Sequence, residues 1–87
     1  MTEQIWNMSI AFTEEGEKTR ADAKLELAGQ RFHGDGRASR APQDPNVPVI
    51  GQDLAAARAL SDLSHQLLEA AAVRIEKFEG RPVKVHG

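Results

Sequence analysis

Near the start of the chain, hydrophobic residues recur at every second position. Trp6, Met8, Ile10 and Phe12 alternate with Asn7, Ser9 and Thr13, which is the period of a strand with one apolar and one polar face. Residues 5–13 are therefore predicted to form a half-buried strand. Glu14-Glu15-Gly16-Glu17 follows as a turn, with Gly16 free to take positive φ. The alternation resumes with Thr19, Ala21, Ala23, Leu25 and Leu27 set against Lys18, Arg20, Asp22, Lys24 and Glu26. This predicts a second strand over 18–28, antiparallel to the first. After a tight turn at Ala28-Gly29-Gln30, a weaker third strand over 31–39 places Phe32, Gly34, Gly36 and Ala38 on one face. Arg31, His33, Asp35, Arg37 and Ser39 fall on the other. Two glycines inside a strand mark a bulge or something packed close against the backbone.

Residues 40–51 hold Pro42, Pro45 and Pro48 and read as an extended, ordered loop with Val47 and Ile50 as apolar anchors. From Gln52 the period changes to that of a helix. Ala57, Leu60, Leu63, Ser64, Leu67, Leu68, Ala71, Ile75 and Phe78 fall on one broad stripe. Asp53 suits a first turn, and Gly80 followed by Pro82 is a stop signal. The helix is predicted over 52–78, with a tail over 79–87 carrying a short extended piece at Val83 and Val85. The fold class is α+β, a single domain over 1–87 with the order β-β-β-α, in which a three-stranded antiparallel meander packs on one long C-terminal helix.

A helix of that length reaches ~40 Å, whereas three strands make a platform only ~15 Å wide. If the helix crosses the sheet, its apolar end overhangs and calls for a partner. A second copy is the simplest one, through Leu68, Ile75 and Phe78. A homodimer is expected on this ground.

Composition narrows the function classes. The chain has 87 residues and no cysteine, so neither a disulfide nor a cysteine-based metal site can staple it. No run is long and apolar enough to span a bilayer, and the N-terminus lacks the basic and apolar regions of a signal peptide, so a cytoplasmic location is expected. His33, His65 and His86 are not at ligand spacing, and Gly34-Asp35-Gly36 lacks the third glycine of a dinucleotide fingerprint, with Ser39 in its place. Ser61, Asp62 and His65 share two turns of one helix with no nucleophile elbow. Arg58 and Asp62 stand one turn apart and are expected to pair with each other, or Arg58 to reach the proline-rich loop. No catalytic residue, cofactor, metal or small-molecule substrate is implied, and the chain reads as a non-enzyme.

The net charge is −2, but the charges are unevenly placed. Residues 1–17 hold four glutamates and no lysine or arginine, whereas residues 18–40 hold six basic side chains against three acids, a net +3. If Lys18, Arg20, Lys24, Arg31 and Arg37 share one sheet face, that face is a candidate for phosphate contact with RNA. Stacking aromatics are missing from it, which argues against base stacking. The competing reading is a solvated face, because Asp22, Glu26 and Asp35 are interspersed.

The stretch Gly34-x-Gly36-x-Ala38-x-x-x-Pro42-x-Asp44-x-x-Val47-Pro48-x-Ile50-Gly51, continuing into Leu54-Ala55 and Arg58-Ala59-Leu60-x-Asp62-Leu63, resembles a family of small actinobacterial proteins of unknown function. Its relatives include mycobacterial proteins induced in hypoxic dormancy. The resemblance covers about residues 5–78. It implies a double-stranded-RNA-binding-domain-like β-β-β-α protomer, usually dimeric, with no assigned catalysis. It also implies, by analogy of shape with ribosome hibernation factors, association with the ribosome or structured RNA under stress. Val49 and Gln52 depart from the acidic residues common in that family, and 70–73 lacks the helix break that some members show. A protein-interaction or regulatory module with no nucleic acid is the alternative.

Overall fold

A computed structural model describes residues 2–80, so the expected extended piece at Val83 and Val85 lies outside the described residues. Strands β1 (Asn7–Glu15), β2 (Lys18–Leu27) and β3 (Gln30–Ser39) precede one helix, α1 (Pro48–Glu79). The sheet is an antiparallel meander in the order β1-β2-β3, and the β-β-β-α arrangement expected from the residues is the one found.

Both hairpins close on two-residue turns whose twist matches that of the strands. Gly16 has φ 61° at the first; at the second, Ala28 and Gly29 have φ 46° and 78°. Such turns favour positive φ because it preserves the right-handed strand twist. The closing pairs Glu15–Lys18 and Leu27–Gln30 fix the register of the whole sheet. Met8, Leu25 and Phe32 stand side by side, as do Ile10, Ala23 and Gly34, and Phe12, Ala21 and Gly36.

The helix starts earlier than its apolar period suggested. Pro48 occupies the first turn, where its missing N–H leaves no helix hydrogen bond unmade. Asp53 consequently lies beyond the first turn, which holds no acid. The helix continues unbroken through Ala70–Ala72 and stops at Gly80, whose φ of 70° lets its N–H reach the carbonyl of Glu76.

The residues that meet the sheet are Ala55, Ala59 and Leu63, the only helix residues buried among those described. Of the expected stripe, Leu63 is buried and Leu67 packs against the core, whereas Leu60 is 38% exposed and Ala57 and Ser64 are exposed. Gly34 and Gly36 explain the offset. A Cβ on Gly36 would lie 2.1 Å from the Ala55 carbonyl oxygen, and one on Gly34 would lie 2.2 Å from that of Ala59. The helix backbone rests directly on these glycines, so only small side chains fit at the contact.

The helix also runs along the strands rather than across them. Going up the helix, Ala55 meets Gly36, Leu63 meets Gly34, Gln66 bonds His33 and Arg74 bonds Gln30. A ten-residue strand reaches about 33 Å, so the sheet supports most of a helix about 48 Å long. The expected long overhang shrinks to the turn after Arg74. The core beneath the helix is small and aliphatic: Ala21, Ala23, Leu25 and Ala38 from the strands, with Ile10, Leu27, Phe32 and Leu67 packed around it.

Candidate interaction surfaces

The register places every predicted basic residue on one face. Lys18, Arg20 and Lys24 of β2 lie beside Arg31, His33 and Arg37 of β3, on the side of the sheet away from the helix. Glu15, Asp22, Glu26 and Asp35 share that face, so five formal cations stand among four carboxylates. They are arranged as a chain of pairs. Arg20 Nε donates to Asp35 at 2.8 Å and its Nη2 approaches Asp22 at 3.4 Å, while Arg37 reaches the second oxygen of Asp35 at 3.4 Å. His33 meets Asp22 at 2.9 Å, and Arg31 meets Glu26 at 3.1 Å. The Arg20 hydrogen bond holds the Asp35 carboxyl below the usual carboxylate range, and Asp35 with Asp22 raises Arg20 in turn. Lys18 and Lys24 take part in none of these pairs. The basic face is thus largely neutralised from within.

The two edges of the sheet are treated differently. Along the outer edge of β3, helix side chains spaced one turn apart bond the strand backbone. Arg58 Nη1 donates to the Arg37 carbonyl at 2.7 Å, the Asp35 N–H donates to Asp62 Oδ2 at 2.9 Å, and Gln66 Nε2 donates to the His33 carbonyl. Arg58 and Asp62 therefore serve the strand rather than the expected pair with each other or the loop. Their side chains reach past the glycine contact to backbone groups of β3 that the sheet leaves unpaired. Asp62 is also committed to this bond, and His65 is exposed on the helix surface, so Ser61, Asp62 and His65 do not converge.

Among the described residues, no such cover lies on β1. The helix packs on β2 and β3 and leaves much of the apolar face of β1 open: on either side of half-buried Ile10, Met8 is 48% and Phe12 42% exposed, and Trp6, just before the strand, is 54% exposed. Opposite the Arg58–Asp62–Gln66 row, the β1 side of the helix carries Ala56, Leu60 and Leu67, and Gln52 touches Glu14 there. The strip and this flank form an apolar step. Sequence periodicity could not separate it from core, because every residue in it obeys the pattern of a buried face. Of the helix residues expected at a dimer contact, Leu68 and Ile75 are half-buried and Phe78 is 92% exposed.

The proline-rich segment is tied down by polar bonds rather than by apolar anchors. The Arg40 N–H donates to the Glu17 carbonyl at 2.9 Å, Arg40 Nη1 donates to the Asp44 carbonyl, and the Ala41 N–H donates to the Asp44 carboxylate. Val47 and Ile50, expected as anchors, are 41% and 54% exposed and line a cavity of about 280 Å³ between this segment, the β1–β2 turn and the start of the helix. Among the described residues, no cluster of three or more histidine and acidic side chains is placed to hold a metal, and no helix is long and apolar enough to cross a membrane.

Comparison with known proteins gives this architecture a family. The chain is 38% identical over 82 residues to the uncharacterized protein Mb1767 of Mycobacterium bovis, covering 94% of this chain and 87% of the relative. It is 42% identical over 76 residues to the uncharacterized protein Rv2632c of Mycobacterium tuberculosis, covering 87% and 82%. The crystal structure of Rv2632c superposes with a TM-score of 0.86 at 38% identity, covering 94% of this chain and 98% of the other. The Rv2632c-like family matches residues 4–84, and the chain belongs to that family.

Proposed function

We propose that this chain is a non-enzymatic interaction module whose recognition surface is the uncovered β1 strip, with protein as its partner. The observation that carries the reading is the asymmetry of the sheet. The β3 edge is bonded by Arg58, Asp62 and Gln66, while Met8 and Phe12 of β1, and Trp6 just before it, stand largely in solvent. Exposed apolar strips rimmed by polar residues mark association surfaces in soluble domains. Groups that could have done acid–base work are engaged elsewhere: His33, Asp22 and Asp35 in the ion-pair chain, and Asp62 on backbone. A role under stress or dormancy, implied by the family resemblance, sets the conditions in which to look.

Docking on ribosomal or other structured RNA is the second reading, favoured by the coincidence of five cations on one open face, with Lys18 and Lys24 outside its ion pairs. Phosphate contact by the arginines requires breaking pairs already made, which leaves few counterions to release per complex.

The deciding experiment uses the chain as bait in extracts of starved cells, with and without nuclease. Under the protein reading, a defined protein stays bound after nuclease and is lost with Met8→Lys or Phe12→Lys. Retention that disappears with nuclease, falls steeply with salt and is weakened by Lys18→Glu with Lys24→Glu transfers the assignment to RNA.

A further inference from the structure

We infer that the cavity at the start of the helix binds a small amphipathic primary amine, its ammonium group held between Glu14 and Thr19. The site is distinct from the β1 strip, since Trp6, Met8 and Phe12 do not line the cavity, and it stands or falls apart from the interaction-module reading.

The floor of the cavity is one row of the sheet. Glu14, Thr19 and Ala38 stand side by side there, on the face that carries the helix. The helix begins above this row: a Cβ on Gly51 would lie 2.9 Å from Thr19 Oγ1. Thr19 is 9% exposed, the one polar residue buried among those described. Its hydroxyl makes no hydrogen bond among the described residues, yet no side-chain polar atom among them is both sealed from solvent and unpaired. The hydroxyl therefore opens on the cavity that Thr19 lines. A hydroxyl withdrawn from bulk water and given no partner is destabilising. Its place on the floor points to a partner that enters from the cavity.

Glu14 completes the head of the site. A two-residue turn makes Glu15 and Lys18 a hydrogen-bonded pair, so Glu14 and Thr19 form a non-hydrogen-bonded pair. Such pairs hold Cα atoms about 4.5 Å apart, with side chains at their closest. Gln52 Nε2 donates to Glu14 Oε1 at 3.1 Å, which fixes the carboxylate over this row and leaves Oε2 to accept another bond. A carboxylate oxygen and a hydroxyl oxygen side by side suit a group with several N–H donors and no acceptor, and that is an ammonium.

Charge and shape select the rest of the ligand. Glu14, Glu17 and Asp44 line the cavity with Arg40, a formal charge of −2. The helix start adds roughly half a positive charge, so the cavity stays negative. Arg40 is also turned to the loop, where its Nη1 donates to the Asp44 carbonyl at 3.2 Å. The start of the helix supplies an apolar wall of Val47, Ile50 and Leu54. A space of about 280 Å³ takes about ten non-hydrogen atoms, given that roughly 150 Å³ accommodates benzene. An arylalkyl or short alkyl amine fits both limits.

The test titrates phenethylammonium into the isotope-labelled full chain and follows backbone amide shifts. Saturable shifts centred on Gly16, Thr19, Ile50 and Gly51 are expected, with a dissociation constant of about 1 mM or tighter. Phenethyl alcohol and phenylacetate, of nearly the same shape, should bind about tenfold more weakly or worse. Glu14→Gln, at an exposed position, and Thr19→Val, of matched shape, should each weaken the amine about tenfold with the fold intact. If Thr19→Val fails to fold, Glu14→Gln decides alone. Phenylacetate binding in preference to the amine overturns the proposal and makes Arg40 and the helix start an anion site. Equal binding of amine and alcohol, unmoved by Glu14→Gln, leaves an apolar cleft and overturns ammonium recognition. Shifts spread over all exposed carboxylates, or no saturable shift from the amine at about 10 mM, overturn the site altogether.

Discussion

The Asp62 carboxylate on the helix accepts the backbone N–H of Asp35 on β3 at 2.9 Å, while the Asp35 side chain points to the opposite face of the sheet and holds Arg20 at 2.8 Å. One strand residue thus links the helix to the polar face. Replacing Asp62 by Ala leaves that half-buried N–H without a partner, which costs about 1–3 kcal/mol. Urea unfolding should show this as a lower midpoint at unchanged slope, with Asp62→Asn recovering part of the loss. A midpoint unchanged in Asp62→Ala means that water replaces the carboxylate.

Gly36→Ala should be among the most damaging single-atom changes in the chain. The added methyl meets the backbone of the helix, at 2.1 Å from the Ala55 oxygen and 2.3 Å from the Ala59 nitrogen, so no side chain can rotate away. A loss of about 3 kcal/mol or more is expected. Gly16→Ala is the comparison. It meets nothing within 4 Å and carries only the strain of φ 61°, about 1–2 kcal/mol. Thermal denaturation of the two variants should rank them in that order.

The acid limb of the stability curve should carry the mark of Asp35. Its carboxyl is depressed by Arg20, so its contribution is complete above the unfolded-state pKa and is lost as pH falls through the lower folded-state value. Asp35→Asn removes this dependence. Its unfolding midpoint should fall relative to wild type at neutral pH, and the two should converge in strong acid. Parallel curves at all pH values count against the assignment.

Glu14 and Gln52 provide a milder test of the β1 flank. Gln52 Nε2 donates to Glu14 Oε1 at 3.1 Å across an exposed surface. Gln52→Ala should cost no more than about 0.5 kcal/mol. A larger loss in chemical denaturation would mean that this contact holds the start of the helix over β1.

The elements follow from the order of residues alone, and the reason is local. A period of two is set by the pleat and a period of 3.6 by the helix. Gly16, Gly29 and Gly80 sit where positive φ is needed, so strands, turns and helix stop were all legible. The order of residues also determined that Lys18, Arg20, Lys24, Arg31 and Arg37 share a face, once the turns had fixed the register. Tertiary structure alone decided which apolar residues are core. Met8 and Phe12 carry the same pattern as Leu25, yet only β2 and β3 lie beneath the helix. That choice was made by Gly34 and Gly36, whose missing side chains draw the helix backbone onto β3 and turn Ala55 and Ala59 inward in place of Leu60. The motif through which the family resemblance is visible, Gly34, Gly36, Ala38, Gly51, Arg58 and Asp62, is largely this same helix-on-strand joint. It specifies how the chain packs, and the packing leaves β1 open.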